Sequence, residues 1–246
     1  MRFERLNEAD NLPKVAIIFG RFQPAHEGHV AAWEKTKQAG PDGWYVGTNP
    51  NTMGAKAKTG KGAENKDPLP YDLKALHMTT LMPELKSHLV PETNWMTLAT
   101  LAYNHHGKCH LSVVCSEEEE YAYKLISKWN GQEGKHGYYN FASIDWVQPA
   151  RSHRASDVRA AVHAGDRAKF AGYIGQGEDY KVQGKNFFDI MAHYLEVEGA
   201  EMQESSLGKI VRESTEAQYL DIEVDDKVVF YYSKQTPRMP AIVVAH

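Results

Sequence analysis

The segment Lys14-Val15-Ala16-Ile17-Ile18-Phe19-Gly20 constrains the fold more than any other part of the chain. Its unbroken, β-branched apolar run reads as a strand buried on both faces, the situation of a parallel sheet covered by helices. Ten residues later a second pattern begins: His29 to Gly40 is rich in helix formers and closes on a glycine suited to the position past a helix end. Pro41-Asp42-Gly43 is turn chemistry and Trp44 to Gly47 reads as another strand, completing a β-α-β unit. The alternation continues, with helical patterns at 71–82 and 94–105, a strand at His110–Cys115, a helix over Glu118–Trp129 and a strand at Ser143–Val147. The expected fold class is α/β: a doubly wound, Rossmann-like parallel sheet whose ligands bind at the carboxyl ends of its strands.

With 246 residues, the chain has room for one such domain and a small appendage. The expected division is a leader at 1–12, a core domain at 13–184, and a C-terminal α+β module at 185–246. In that last part Phe187, Ile190, Met191, Tyr194 and Leu195 form a helical stripe, and Leu220, Ile222 and Val224 alternate with acids as a half-exposed strand. Between the second strand and the helix at 71, residues 49–68 form a glycine-rich loop carrying Lys56, Lys58 and Lys61. No apolar stretch approaches the ~18 residues of a membrane span. The charged first twelve residues have no apolar core of a secretory signal, so a cytoplasmic product is expected. Cys109 and Cys115, six apart along a strand, would sit ~20 Å from each other and are expected as reduced thiols. A net charge of -4 argues against a sequence-independent nucleic-acid binder.

The chemistry concentrates in Gly20-Arg21-Phe22-Gln23-Pro24-Ala25-His26-Glu27-Gly28-His29, between the first strand and the first helix. A glycine at the strand end admits close approach of a ligand, and a helix start directs N–H groups and a positive dipole end into the crevice. Two histidines three apart at that helix start face one ligand and can donate to phosphoryl oxygens. The alternatives are one surface residue beside a helix cap, or a metal-binding pair lacking a nearby third ligand. A second segment, Arg151 to Arg159, follows the strand ending at Val147; there Ser156 is expected as an N-cap, with Arg159 in the first turn and Arg154 in the loop as phosphate clamps. The crowding of His105, His106, Cys109 and His110 lacks zinc-site spacing and is discounted.

These two segments together resemble the HxGH nucleotidyltransferase superfamily, whose signatures are Gly-x-Phe-x-Pro-x-His-x-Gly-His and a later Ile-Ser-Ser-Thr-x-x-Arg. The first is complete here. Its Gly-Arg-Phe-Gln-Pro form is most similar to archaeal-type nicotinamide-mononucleotide adenylyltransferases, and residues 14–175, including the segment 128–139, resemble the related enzymes of large tailed phages. The second signature departs: Arg154, Ala155 and Ser156 stand where the family has Ser-Ser-Thr. The resemblance implies attack by a phosphate-bearing acceptor on the α-phosphorus of ATP, with release of pyrophosphate and formation of NAD. In that scheme His26 and His29 act at the reacting phosphate. Gly20, Arg21, Phe22, Gly28, Arg154, Ser156 and Arg159 bind nucleotide, and Lys56, Lys58 and Lys61 cover the acceptor. Mg²⁺ is expected with ATP and without a protein side chain as ligand. The expected partners are ATP and a phosphate-bearing small molecule, with no nucleic acid and no membrane. Self-association as a homo-oligomer and association with a virion or capsid stay open. So do a cytidylyltransferase, another acceptor, and a non-catalytic nucleotide-binding virion protein. Leu6-Asn7-Glu8-Ala9 resembles the Leu-x-Glu cleavage sites of capsid-targeting leaders, with cleavage then expected after Glu8; a frayed terminus is the plainer reading.

Overall fold

A computed structural model describes residues 11–50, 67–150 and 153–197. At its centre lies β1 (Lys14–Phe19), where Val15, Ala16 and Ile17 are fully buried, as an apolar run flanked on both faces requires. It pairs in parallel with β2 (Gly43–Thr48) on one side and β4 (His110–Val114) on the other, placing Ala16 between Trp44 and Ser112. Beyond β4 lies β5 (Ser143–Val147), and beyond β2 a three-residue strand, β3 (Leu89–Pro91), that the sequence patterns do not show. Its brevity and terminal proline are the mark of an edge strand. The sheet is all parallel, in the order β3-β2-β1-β4-β5, so its direction of winding reverses between β1 and β4.

Helices α1 (Glu27–Ala39), α2 (Tyr71–Leu81), α3 (Trp95–His106), α4 (Glu120–Trp129), α5 (Ala155–His163) and α6 (Arg167–Ile174) connect and flank these strands. One core joins the sheet to Trp33 of α1, Leu98 and Ala102 of α3 and Ile126 of α4. A second core gathers Leu73 of α2, Val158 and Val162 of α5, Phe170 and Ile174 of α6, and Phe187, Ile190 and Met191 of α7 (Phe187–Tyr194). The short strands β6 (Lys181–Val182) and β7 (Lys185–Asn186) form a hairpin leading into α7. The helical stripe expected at 187–195 is therefore present, but it packs against α5 and α2. Packing is continuous across the boundary expected at 184/185, because the stripe completes the apolar cover of α5. The strand expected at 220–224, residues 1–10 of the leader expected at 1–12, and the lysines at 56, 58 and 61 lie outside the described residues.

Cys109 and Cys115 flank β4 as free, buried thiols, and burial pushes each thiol pKa up to about 11. Among the described residues, no helix is long and apolar enough to cross a membrane.

Candidate functional site

A cavity of about 790 Å³ opens where the carboxyl ends of β1, β4 and β5 meet, at the point where strand order reverses. Its walls come from the turn and helix start after β1 (Gly20 to Gln23, His26, Gly28 and His29), from Cys115, Ser116, Glu118 and Glu119 after β4, and, after β5, from Pro149, Ala150, His153, Arg154 and the first residues of α5. It thus brings together Gly20, Arg21, Phe22, His26, Gly28, His29, Arg154, Ser156 and Arg159, every described residue that the sequence pointed to.

The two histidines hold each other. His26 is the N-cap of α1: its Nδ1 accepts the Gly28 N–H at 3.2 Å, while Nδ1 of His29 accepts the N–H of His26, also at 3.2 Å. This reciprocal cap starts the helix at Glu27, two residues before the expected His29. The helix-cap role that counted against a functional pair is real, yet it dictates chemistry. With both Nδ1 atoms accepting, each neutral ring carries its proton on Nε2, which becomes a donor. The rings lie 3.8 Å apart, centroid to centroid. Burial, followed by the neighbouring imidazoles, pulls the pKa of His26 down to about 4 and that of His29 well below its ordinary value, so both are neutral at pH 7. The cap also uses the amides once expected to bind phosphate. Gly28 N–H is taken by the His26 ring and His29 N–H by the His26 carbonyl at 2.8 Å, so neither amide is free to face the crevice.

Phe22 sets the tilt of His29, meeting it edge-on at 5.0 Å and Trp33 at 5.4 Å. To do so it adopts a left-handed backbone, φ 51°, and its ring fills the space beside Gly20, where a Cβ would stand 2.7 Å from it. A side chain at position 20 would therefore press on this ring. Gln23, buried, exchanges two 2.9 Å hydrogen bonds with the backbone of Leu69, and its own carbonyl accepts from Arg159 Nη1 at 2.7 Å. Arg159 is itself only 5% exposed, so it braces the strand-end turn from α5 while lining the cavity.

Three supporting residues escaped sequence reasoning. His77 of α2 donates from Nε2 to the carbonyl of Ala25, 3.0 Å away, and its Nδ1 lies 3.2 Å from the hydroxyl of Tyr180. Lys74, fully buried, donates to Thr48 Oγ1 (2.8 Å) and to the Asn49 carbonyl (3.0 Å), and Thr48 Oγ1 donates to the Gly20 carbonyl at 2.7 Å. Burial lowers the Lys74 pKa to about 8. The available signal was their register, since Lys74 and His77 share the buried part of α2 with Leu73, Ala75 and Met78. The third, His153, lines the cavity and donates from Nε2 to Glu27 Oε1 at 2.8 Å.

His77 yields a pH prediction. Burial lowers its pKa from 6.5 to about 4, so it stays neutral in the fold while the unfolded chain takes up a proton below pH ~6.5. Its contribution is complete above pH 6.5 and is lost as pH falls towards 4, an effect on the order of 3 kcal/mol, with His26 acting in the same sense. Urea denaturation between pH 4 and 7 should show stability rising with pH. In His77→Gln, whose amide N–H can replace Nε2–H without titrating, that slope should be shallower; an unchanged slope excludes His77 as its source.

At the second segment, α5 begins earlier than expected. Arg154, not Ser156, is the N-cap, because the Asp157 carboxylate accepts the Arg154 N–H at 3.2 Å and closes the first turn there. Ser156 is consequently inside the first turn and Arg159 in the second, although both still line the cavity. Arg154 pairs with Glu118 across the cavity rim at 3.2 Å. Outside the cavity lining, the Tyr45 hydroxyl lies 2.9 Å from His105 Nδ1 and 2.8 Å from His106 Nε2, while His110 Nδ1 lies 2.7 Å from Ser143 Oγ. Among the described residues, no three His, Cys, Asp or Glu side chains are grouped to hold a metal ion.

Comparison with protein-family models finds no match to this chain, and comparison with curated proteins finds no similar one.

Proposed function

We propose that the chain is a nucleotidyltransferase that passes a nucleotidyl group, adenylyl in the first reading, from a nucleoside triphosphate to a phosphate-bearing acceptor. One observation carries this: two neutral imidazoles, each forced by its Nδ1 hydrogen bond to keep a proton on Nε2, line a cavity at the switch point of a parallel sheet. An acceptor phosphate oxygen attacks the α-phosphorus, the bond to the bridging oxygen breaks, and pyrophosphate leaves. Charge grows on the non-bridging oxygens as the bonds exchange, and donors already in place stabilise it without reorganising. Neutral donors suit this task, since they need not surrender their protons to act. The polyphosphate tail would run towards Ser156 and Arg159.

Magnesium would enter with the triphosphate and neutralise charge on its oxygens. Ser116 and Glu119 on the cavity wall offer oxygens that suit contact with the water shell of that ion, with its direct ligands left to phosphate and water. The resemblance of the Gly-Arg-Phe-Gln-Pro turn favours nicotinamide mononucleotide as acceptor and NAD as product, in a cytoplasmic or virion-packaged protein of a phage. Purified protein incubated with Mg²⁺, ATP or CTP and a series of phosphate-bearing acceptors, with pyrophosphate monitored, tests it. NAD and pyrophosphate in equal amounts are expected. A different product would replace the acceptor or the base, and triphosphate binding without turnover on any acceptor would favour a non-catalytic nucleotide-binding protein.

A further inference from the structure

We infer that Tyr180 and His77 are positioning residues for His29: with the peptide unit between Ala25 and His26 they form a one-way hydrogen-bond chain that fixes the proton of His29 on Nε2. The inference rests on the nucleotidyltransferase reading for what His29 then meets. It adds two residues that lie outside both sequence signatures and outside the cavity lining, and Tyr180 lies beyond residues 14–175 altogether.

The direction of the chain is set at the Ala25 carbonyl. A carbonyl oxygen only accepts, so His77 Nε2, 3.0 Å from it, carries the proton of the ring. Burial keeps His77 neutral, which leaves its Nδ1 as an acceptor, and the Tyr180 hydroxyl 3.2 Å away can only donate to it. The carbonyl belongs to the same planar peptide as the His26 N–H, and that N–H donates to Nδ1 of His29 at 3.2 Å. One peptide unit is thus gripped at both ends, by His77 on its oxygen and by His29 on its nitrogen. Polarising the oxygen makes the N–H a better donor, so the links strengthen one another. No proton travels along the chain; it holds the His29 ring in one orientation and one tautomer.

The anchor of the chain lies in the second core. The His77 ring stacks on Phe187, with 3.8 Å between centroids and 20° between planes, and both residues are fully buried. Tyr180 meets the same Phe187 ring at 5.7 Å, and its carbonyl accepts the Phe187 N–H at 2.9 Å, which ties it to the start of α7. Packing on Phe187 would be served by any flat ring. The two nitrogens of His77, each with a partner, are what packing does not explain.

Two substitutions separate hydrogen bonding from packing. His77→Phe keeps a flat ring on Phe187 and removes both nitrogens, whereas His77→Gln keeps an N–H for the Ala25 carbonyl and gives up the stack. His77→Phe should lower kcat about 10-fold with little change in the KM for triphosphate, and His77→Gln should stay within about threefold of wild type. Tyr180→Phe, which removes only the hydroxyl, should lower kcat about threefold. The reverse order at His77, with Gln worse than Phe, overturns the chain in favour of packing. Nitrogen NMR spectra of the imidazoles give a readout that needs no activity, the His29 signals being those absent from His29→Asn. In wild type at pH 7 they should show Nε2 protonated and Nδ1 bare, and in His77→Phe and Tyr180→Phe they should move towards the average of two tautomers. Unchanged His29 signals in both folded variants overturn the positioning role. The expected spectra from a wild-type protein that turns over no acceptor would keep the chain and remove the enzyme reading.

Discussion

A His29→Asn protein should fold as the wild type does and turn over ~10²–10³ times more slowly, a loss of about 3–4 kcal/mol of transition-state stabilisation. The asparagine is chosen from the geometry. His29 makes two distinct uses of its ring: Nδ1 accepts the His26 N–H and completes the helix cap, while Nε2 keeps the proton and donates. The carbonyl oxygen of an asparagine can stand where Nδ1 stands, preserving the cap, but nothing then reaches as far as Nε2. Steady-state pyrophosphate release should show the drop in kcat with little change in the KM for triphosphate, because the lost interaction is strongest when charge has moved onto the α-phosphate. Thermal unfolding should differ little from wild type. Near-normal turnover in a folded His29→Asn protein would remove His29 from the reaction.

Arg159→Ala should be damaging in a different way, losing stability and activity together. The guanidinium is buried, and one of its N–H groups satisfies the carbonyl of Gln23, itself a residue tied by its side chain to Leu69. Removing it strands a buried acceptor and leaves the volume of the arginine's alkyl stem unfilled, together costing about 2–4 kcal/mol. In a domain of this size that corresponds to a fall in Tm of roughly 5–15 °C, measurable by calorimetry. Triphosphate should also raise the Tm of the wild type by linkage and that of Arg159→Ala much less. A variant that unfolds at the wild-type temperature would show that the Gln23 contact contributes no stability. Normal stabilisation of the variant by triphosphate would show that Arg159 is not a phosphate ligand.

Several parts of this site were legible along the chain because their causes are local. The doubly covered strand at 14–19 announces itself in five consecutive apolar residues, and the spacing of His26 and His29 places both at one helix start whatever the rest of the chain does. The start of α5 was missed for an equally local reason: the acid at Asp157 captures the Arg154 amide and outcompetes Ser156 as the determinant of the cap. The three-residue β3 carries too little pattern to be seen, since its only role is to extend an edge. The stripe of α7 was read as part of a separate module because a helical stripe says that an apolar face exists and not what covers it.

By itself, then, the sequence determined the alternation of strands and helices and the presence of two histidines at the first strand-to-helix turn. Both follow from steric and hydrogen-bonding preferences acting over a few residues. Only the tertiary structure decided what those histidines are: Arg159 reaches Gln23 across 136 positions, His77 supports Ala25 across 52, and His153 meets Glu27 from the segment just before α5. Contacts of that range exist only once the order of strands has brought the segments after β1, β4 and β5 together at the carboxyl end of the sheet. There, burial lowers the pKa of each imidazole of the pair.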